Sequence, residues 1–295
     1  MPATIFTCKD LAAEILQTAA LAAKSFAGKH GRAPCLAVVF AGNDPASEVY
    51  VRKKGETCAK YGIDHKDFRL QATSNFAELE QLIDELNKNP TVDGILVQSP
   101  LPQGWNERAI QARILPSKDV DGFHPQNAGR LFIDPKHALA AGLPPCTPAG
   151  VMEVLKANNI DCSGKHAVVI GRSMIVGKPM AMMLLAHDAT VTICHSRTKD
   201  LQAECKRADI LVSAIGRPHF IGADHVKQGA VVIDVGISRL EMAGKARIVG
   251  DVDANALQEI ASLITPVPNG IGPMTIALLI RNTVRAAERR ANAGR

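Results

Sequence analysis

The chain has 295 residues, 46% hydrophobic and 21% charged, a length that suggests about two domains and a composition ordinary for a globular protein. No apolar run approaches the ~18 residues that a membrane-crossing helix needs, and at 4% aromatic the chain is poor in the stacking platforms of single-strand nucleic-acid binders. The net charge of +5 leans on Arg281, Arg285, Arg289, Arg290 and Arg295; it reads as a solvated helix end with a preference for small anions, and a nucleic-acid surface is the weaker alternative.

Seven cysteines lie far apart, at 8, 35, 58, 146, 162, 194 and 205. None forms a C-x-x-C pair, so reduced thiols and no metal site are expected. The N-terminal residues show neither the basic and apolar segments of a signal peptide nor the Arg-rich pattern of a transit peptide, which leads to the expectation of a cytoplasmic protein.

In chain order, residues 8 to 27 read as a helix carrying Leu11, Ile15 and Leu21, with Gly28 as its stop. Cys35 to Phe40 is a short buried strand; Asp44 can then cap a helix whose first turn holds Pro45. Within that helix Ser47, Tyr50 and Lys54 fall at i, i+3 and i+7 and share one stripe, while Arg52 and Lys53 point elsewhere. A phenol and an amine one turn apart, just past a strand's end, can hold an aromatic substrate and move a proton beside it. A plain amphipathic edge with a snorkelling lysine gives the same spacing.

A β-α-β passage follows, with strands over 63–70 and 94–98 and a helix over 75–86. It ends in Gln98-Ser99-Pro100-Leu101-Pro102, a stiff turn at the strand edge where open α/β sheets collect ligands. The turn from Pro116 to Pro125 carries Asp119 and Asp121, which can bond a substrate's N–H groups or their own backbone. Gly142 to Pro148 is a candidate hinge, leading into a helix over 148–157.

Ala167 to Ile170 is a strand that stops at Gly171, and Gly177 opens an apolar helical segment at Met180. Strand, glycine turn and helix aim the first helical N–H groups at an anion above the strand's end. The middle glycine of the dinucleotide fingerprint is absent, and a plain βα turn would need the same two glycines. A P-loop is excluded, because five residues separate the glycines and Pro179 stands where Ser or Thr would bind magnesium.

The next strand, Ala189 to Cys194, ends in His195-Ser196-Arg197, near where such a unit places its ribose reader. With Arg172 in the glycine turn, a 2′-phosphate there would meet cations and a hydroxyl instead of a carboxylate, so NADP is expected over NAD. Strands over 210–214 and 231–235 follow, and Ile237 can cover one face of a nicotinamide ring. A rigid loop from Thr265 to Pro273 precedes a helix from about Met274, whose stripe of Ile276, Leu279, Ile280 and Val284 is expected to bury against the first domain.

Taken together, Tyr50-Val51-Arg52-Lys53-Lys54, Gly94 to Gln98, Lys118 to Pro125, Pro145-Cys146-Thr147-Pro148, Gly171-Arg172-Ser173, Val176 to Pro179 and the loop before Met274 make a specific pattern. From about residue 4 to 290 the chain resembles the bifunctional methylenetetrahydrofolate dehydrogenase/cyclohydrolase family. The resemblance implies an α/β protein of two domains. Residues 1–143 with 274–295 would form a folate-binding catalytic domain, and 144–273 a Rossmann-like, parallel-sheet NADP domain, with the C-terminal helix packing back on the first.

It further implies oxidation of 5,10-methylenetetrahydrofolate with NADP, then hydrolysis of the methenyl cation to 10-formyltetrahydrofolate, by a homodimer without nucleic-acid or membrane partners. Lys54 would be the catalytic lysine, Tyr50 the ring packed on the folate, Gln98 the partner that orients the lysine and Asp121 the carboxylate that holds the pterin. Ser47, Val97 and the loop Pro268-Asn269-Gly270-Ile271-Gly272 would add substrate contacts. Gly171, Arg172, Ser173, Ile175, Gly177, His195, Ser196, Arg197 and Ile237 would contact the cofactor. Two residues depart from the family pattern: Ser99, where Leu is usual, and Asn269, in a run that is usually Pro-Gly-Gly. A shikimate- or amino-acid-type NADP dehydrogenase would share the C-terminal unit and leave the Tyr50/Lys54 stripe unexplained.

Overall fold

The computed structural model describes residues 2–71, 73–242 and 245–293. In chain order its elements begin with β1 (Thr4–Ile5), α1 (Lys9–His30), β2 (Cys35–Ala41), α2 (Pro45–Lys60), β3 (Asp64–Leu70), α3 (Phe76–Lys88), β4 (Gly94–Val97) and α4 (Glu107–Arg113). Next come α5 (Pro125–Ile133), α6 (Pro135–Ala141), α7 (Cys146–Ala157), β5 (His166–Ile170), α8 (Gly177–Ala186), β6 (Thr190–Cys194) and α9 (Leu201–Lys206). The chain finishes with β7 (Ile210–Ser213), β8 (Val231–Asp234), the hairpin β9 (Ser238–Met242) and β10 (Lys245–Val249), β11 (Leu263–Ile264) and α10 (Ile271–Ala293).

These elements form two compact units, one of residues 13–146 with 276–295 and the other of residues up to Ala12 with 147–275. The sequence reading groups residues 1–143 with 274–295; in the structure the first dozen residues cluster with the second unit instead. The reason is backbone pairing: Thr4 and Ile5 form a parallel ladder with Leu263 and Ile264.

The first unit is built on a three-stranded parallel sheet in the order β3-β2-β4. Central β2 is buried along its whole length, as a strand covered on both faces must be, and its Cys35, Ala37 and Val39 pack with Leu79 and Ile83 of α3 and Ile95 and Val97 of β4. Gly94 lets β4 approach Val120, since a side chain there would strike the Val120 methyls at 2.6 Å. Lys118 is fully buried, and its ammonium donates to the carbonyls of Leu86, Asn87 and Asn89 at 2.7–2.8 Å. It caps the C-terminal end of α3, where cations suit the helix dipole, and burial pulls its pKa down to about 8.

Helix α10 belongs to this unit from Ile276 onward, as its apolar stripe requires. Asn282 donates to the Val120 and Pro144 carbonyls, both at 2.9 Å, Arg289 to the Ala141 carbonyl at 2.7 Å, and Arg290 to Val92 O at 2.6 Å and the buried Asp93 at 2.9 Å. Several of the C-terminal cations thus have internal partners and do not form a free basic face; Arg295 lies outside the described residues.

The second unit is a six-stranded parallel sheet in the order β1-β11-β8-β7-β5-β6. The chain leaves β5 for β6 on one side and returns to β7 on the other, which makes the β5/β7 boundary a topological switch point. Its core on one face gathers Val168, Ile170, Leu211, Val232 and Ile264.

Helix α1 runs past Gly28 and ends at Gly31, which takes φ +68° and donates to the Ala27 carbonyl. Glycine within an alanine-rich helix costs only about 1 kcal/mol, so Gly28 does not stop it. Among the described residues, no single helix is long and apolar enough to cross a membrane.

Candidate active site

Helix α2 begins where the sequence places it. Asp44 accepts from the Ser47 amide at 2.8 Å and Pro45 opens the first turn. The expected stripe follows: Ser47 is buried, Tyr50 is 37% exposed and Lys54 only 8%, while Arg52 and Lys53 face solvent.

The Lys54 nitrogen donates to Gln98 Oε1 at 2.9 Å. Gln98 in turn donates through Nε2 to the Ser99 carbonyl at 2.7 Å, and that carbonyl also accepts from Ser47 Oγ at 3.4 Å. The turn after β4 therefore fixes the amide face that Lys54 meets. The Ser99 hydroxyl is itself tied to Glu107 in the first turn of α4.

Burial lowers the Lys54 pKa, against the opposing pull of Asp121 and the thiols of Cys146 and Cys58. Burial pushes Asp121 up to about 6, although Lys54 draws it down. The two carboxylates of the Asp119/Asp121 turn divide their labour. Asp119 bonds its own backbone, accepting from the Gly122, Phe123 and His124 amides at 2.8–3.1 Å and from Asn127 at 2.8 Å. Asp121 instead feels the charge of Lys54 and a hydrogen bond from the Cys146 thiol. Ser47, Tyr50, Lys54, Val97, Gln98 and Asp121 thus lie in one unit around the end of β4, and an aromatic ligand on Tyr50 would meet an amine, an amide and a carboxyl there.

Two residues join them that spacing did not single out. The Cys146 thiol donates to the Val120 carbonyl at 3.3 Å, burial holds its pKa well above the ordinary value, and Asn282 Nδ2 lies 3.5 Å from its sulfur. Asn282 spans Val120 and Pro144, the carbonyls flanking this site. Cys146 stands in one of the resembling segments, which is a signal of sorts; Asn282, 162 residues from Val120, gave none.

In the six-stranded unit the glycine turn closes tightly. Gly171 takes φ +125°, and a side chain on it would press on the Ala214 carbonyl, while one on Gly177 would collide with the Gly171 carbonyl. The sequence reading aims the first helical N–H groups at an anion, but three amides at this end are already engaged within the turn. Those of Val176 and Gly177 donate to Ser173 Oγ at 3.1 and 3.3 Å, and that of Lys178 to Ser173 O at 3.0 Å.

Arg172, Ser173 and Ile175 are exposed on this turn, Ser196 and Arg197 are exposed beyond β6, and Ile237 is exposed beyond β8. The His195 ring accepts from the Arg197 amide at 3.1 Å and so shapes the loop. Loop 268–272 lies in this same unit; Asn269 takes φ +78° and its carbonyl accepts from the Cys8 amide, so asparagine keeps the left-handed turn that glycine would give.

Residues 6–121 match the tetrahydrofolate dehydrogenase/cyclohydrolase catalytic domain, and residues 145–291 match the NAD(P)-binding domain of the same family. The chain belongs to the tetrahydrofolate dehydrogenase/cyclohydrolase family. A bifunctional protein FolD of Acetivibrio thermocellus is 50% identical over 291 residues, 99% of either chain. The solved FolD methylenetetrahydrofolate dehydrogenase/cyclohydrolase of Campylobacter jejuni is 46% identical with a TM-score of 0.92, over 97% of this chain and 99% of that one. The Trypanosoma brucei dehydrogenase/cyclohydrolase, solved with NADP and an inhibitor, is 34% identical with a TM-score of 0.94 over 99% of each. The unit that carries Lys54 corresponds to the family's catalytic domain and the six-stranded sheet to its NAD(P)-binding domain.

Proposed function

We propose that the chain oxidises 5,10-methylenetetrahydrofolate to 5,10-methenyltetrahydrofolate with NADP and then hydrolyses the methenyl product to 10-formyltetrahydrofolate. Family membership supports both activities, and one observation carries the mechanism. A buried lysine on the same helix stripe as Tyr50, its pKa lowered by burial, donates to Gln98 beyond β4.

Lys54 acts as the proton acceptor for water attack. An amine at its ordinary pKa near ~10.4 stays protonated at neutral pH; taken out of water, it gains a neutral population that can receive a proton. The methenyl carbon is already electrophilic, so hydrolysis needs a placed water and that base. The water oxygen bonds the carbon and its proton passes to Lys54; as the adduct collapses, its hydroxyl loses the second proton to solvent, Lys54 returns its proton to N5, and the bond to N5 breaks, leaving the formyl group on N10. Gln98 holds the amine in line, Tyr50 packs on the folate ring, and Asp121 accepts from pterin N–H groups, with Ser47, Val97 and loop 268–272 as further substrate contacts.

The cofactor reading rests on the second unit. Gly171 and Gly177 let the turn at the switch point close where side chains would strike backbone carbonyls, and Arg172, Ser196 and Arg197 offer two cations and a hydroxyl to a 2′-phosphate. When bound, NADP supplies the acceptor for the hydride that leaves the one-carbon bridge. Ser173, Ile175, His195 and Ile237 would complete its contacts.

The protein acts as a cytoplasmic homodimer in this reading. Seven buried thiols suit a reducing compartment, and β6 is the edge strand of its sheet and exposes Ile193, an edge that a second copy would cover. The test of function is a spectrophotometric assay with methylenetetrahydrofolate and either NADP or NAD. Reduced cofactor and methenyl absorbance should rise together with NADP, followed by methenyl decay; equal use of NAD would overturn the roles given to Ser196 and Arg197.

A further inference from the structure

Behind the switch point of the six-stranded sheet lies a pair of buried carboxylates, Asp234 at the end of β8 and Asp251 beyond β10. Asp251 accepts from Ser213 Oγ at 3.0 Å and from the Ile215 and Arg217 amides, both at 2.8 Å. Asp234 accepts from the Gly236, Asp251 and Val252 amides at 2.9–3.0 Å. The two segments also interlock through glycines: a side chain on Gly236 would run into the Asp251 carboxyl, and one on Gly250 into that of Asp234.

Two loops are held this way. One, from Ser213 to Arg217, includes Ala214, whose carbonyl packs on Gly171 at the switch point; the other, from Asp234 to Gly236, leads directly to the exposed Ile237. Ligands of open α/β sheets sit outside the carboxyl ends of the strands at such a point. Six hydrogen bonds and two glycine contacts are more than strand ends need for their own pairing.

We propose that Asp251 is a positioning residue for the dehydrogenase reaction, holding the Ala214–Arg217 backbone by its hydrogen bonds, and packing against Gly236 beside Ile237, in the places a nicotinamide dinucleotide requires. This rests on the reading of the six-stranded unit as the NADP domain. Asp251 touches no reacting atom; it acts through the loops. Methenyl hydrolysis consumes no nucleotide, so the same chain carries an internal control.

The experiment compares Asp251→Asn with the unaltered enzyme. Asparagine keeps the size and turns one acceptor into an N–H₂ facing backbone donors, and loss of one charge-assisted bond corresponds to about tenfold in affinity. The KM for NADP should rise at least about tenfold, while the KM for methylenetetrahydrofolate and the nucleotide-free hydrolysis of methenyltetrahydrofolate stay within about twofold. An unchanged KM for NADP, or a parallel loss of both activities with a lowered melting temperature, overturns the proposal. Should Asp251→Asn not fold, Ser213→Ala removes one of the three donors and should raise the KM for NADP about two- to threefold; no change there overturns it equally. An unaltered enzyme that neither binds nor reduces NADP would instead bring down the underlying reading.

Discussion

The Lys54 amine meets the Gln98 amide oxygen at 2.9 Å, across 44 residues of sequence, and the other end of that amide is anchored on the Ser99 carbonyl. The anchor decides which end of Gln98 faces the lysine. An oxygen there accepts from Lys54 in either protonation state without adding charge, so burial can keep the amine's pKa low.

Gln98→Glu puts a carboxylate in that position. Its charge favours the ammonium form and raises the Lys54 pKa, so hydrolysis at neutral pH should fall about tenfold or more and recover as pH rises. A pH profile of kcat/KM for methenyl hydrolysis reads this as an alkaline displacement of the acid limb; an unmoved limb contradicts it.

Asp121 carries a linked prediction for stability. Its folded pKa, pushed up by burial from 3.8 to about 6, means the folded state binds this proton more tightly than the unfolded chain. The contribution is complete below the unfolded value and is lost as pH rises from about 4 through 6. Asp121→Asn has no charge to bury, so it should match the native protein at pH 4 and gain on it by up to about 3 kcal/mol at pH 8. Thermal melts of both proteins at the two pH values test the sign.

Asn282→Ala strips hydrogen bonds from two carbonyls, those of Val120 and Pro144. Buried acceptors left alone cost about 1–3 kcal/mol each. The Val120 carbonyl keeps the Cys146 thiol, so a loss of about 2–4 kcal/mol in urea unfolding is expected. Hydrolysis should weaken as well, because Asp121 follows Val120 directly.

Ser196→Asp tests the choice of cofactor. A carboxylate there accepts from a ribose 2′-OH and repels a 2′-phosphate. The kcat/KM for NADP should drop at least about tenfold and that for NAD should rise, with hydrolysis unaffected; steady-state kinetics with both nucleotides decide it.

What the sequence disclosed follows from the range of each interaction. The Ser47/Tyr50/Lys54 stripe was legible because helix period and the Asp44 cap are local rules, and the switch from β5 to α8 because glycines must stand where backbones touch. The division between Asp119 and Asp121 was not, since both sit in one turn and only the folded path shows which carboxyl closes on the backbone. The reach of Asn282 to Val120 and of Asp251 to Ser213 depends on tertiary packing with no spacing rule behind it. Helices α5 and α6 and the hairpin β9–β10 also went unread. The first two are short and joined through a single residue, Asp134, which ends one and caps the other.

The buried amine is most directly tested by Lys54→Met, which keeps much of the side chain's length and apolar bulk and removes the proton acceptor. Followed as the decay of methenyltetrahydrofolate absorbance without nucleotide, enzymatic hydrolysis should fall by about 10²–10⁴, to near the uncatalysed rate, with the melting temperature unchanged or raised. Hydrolysis at a near-native rate by the folded variant would contradict the account.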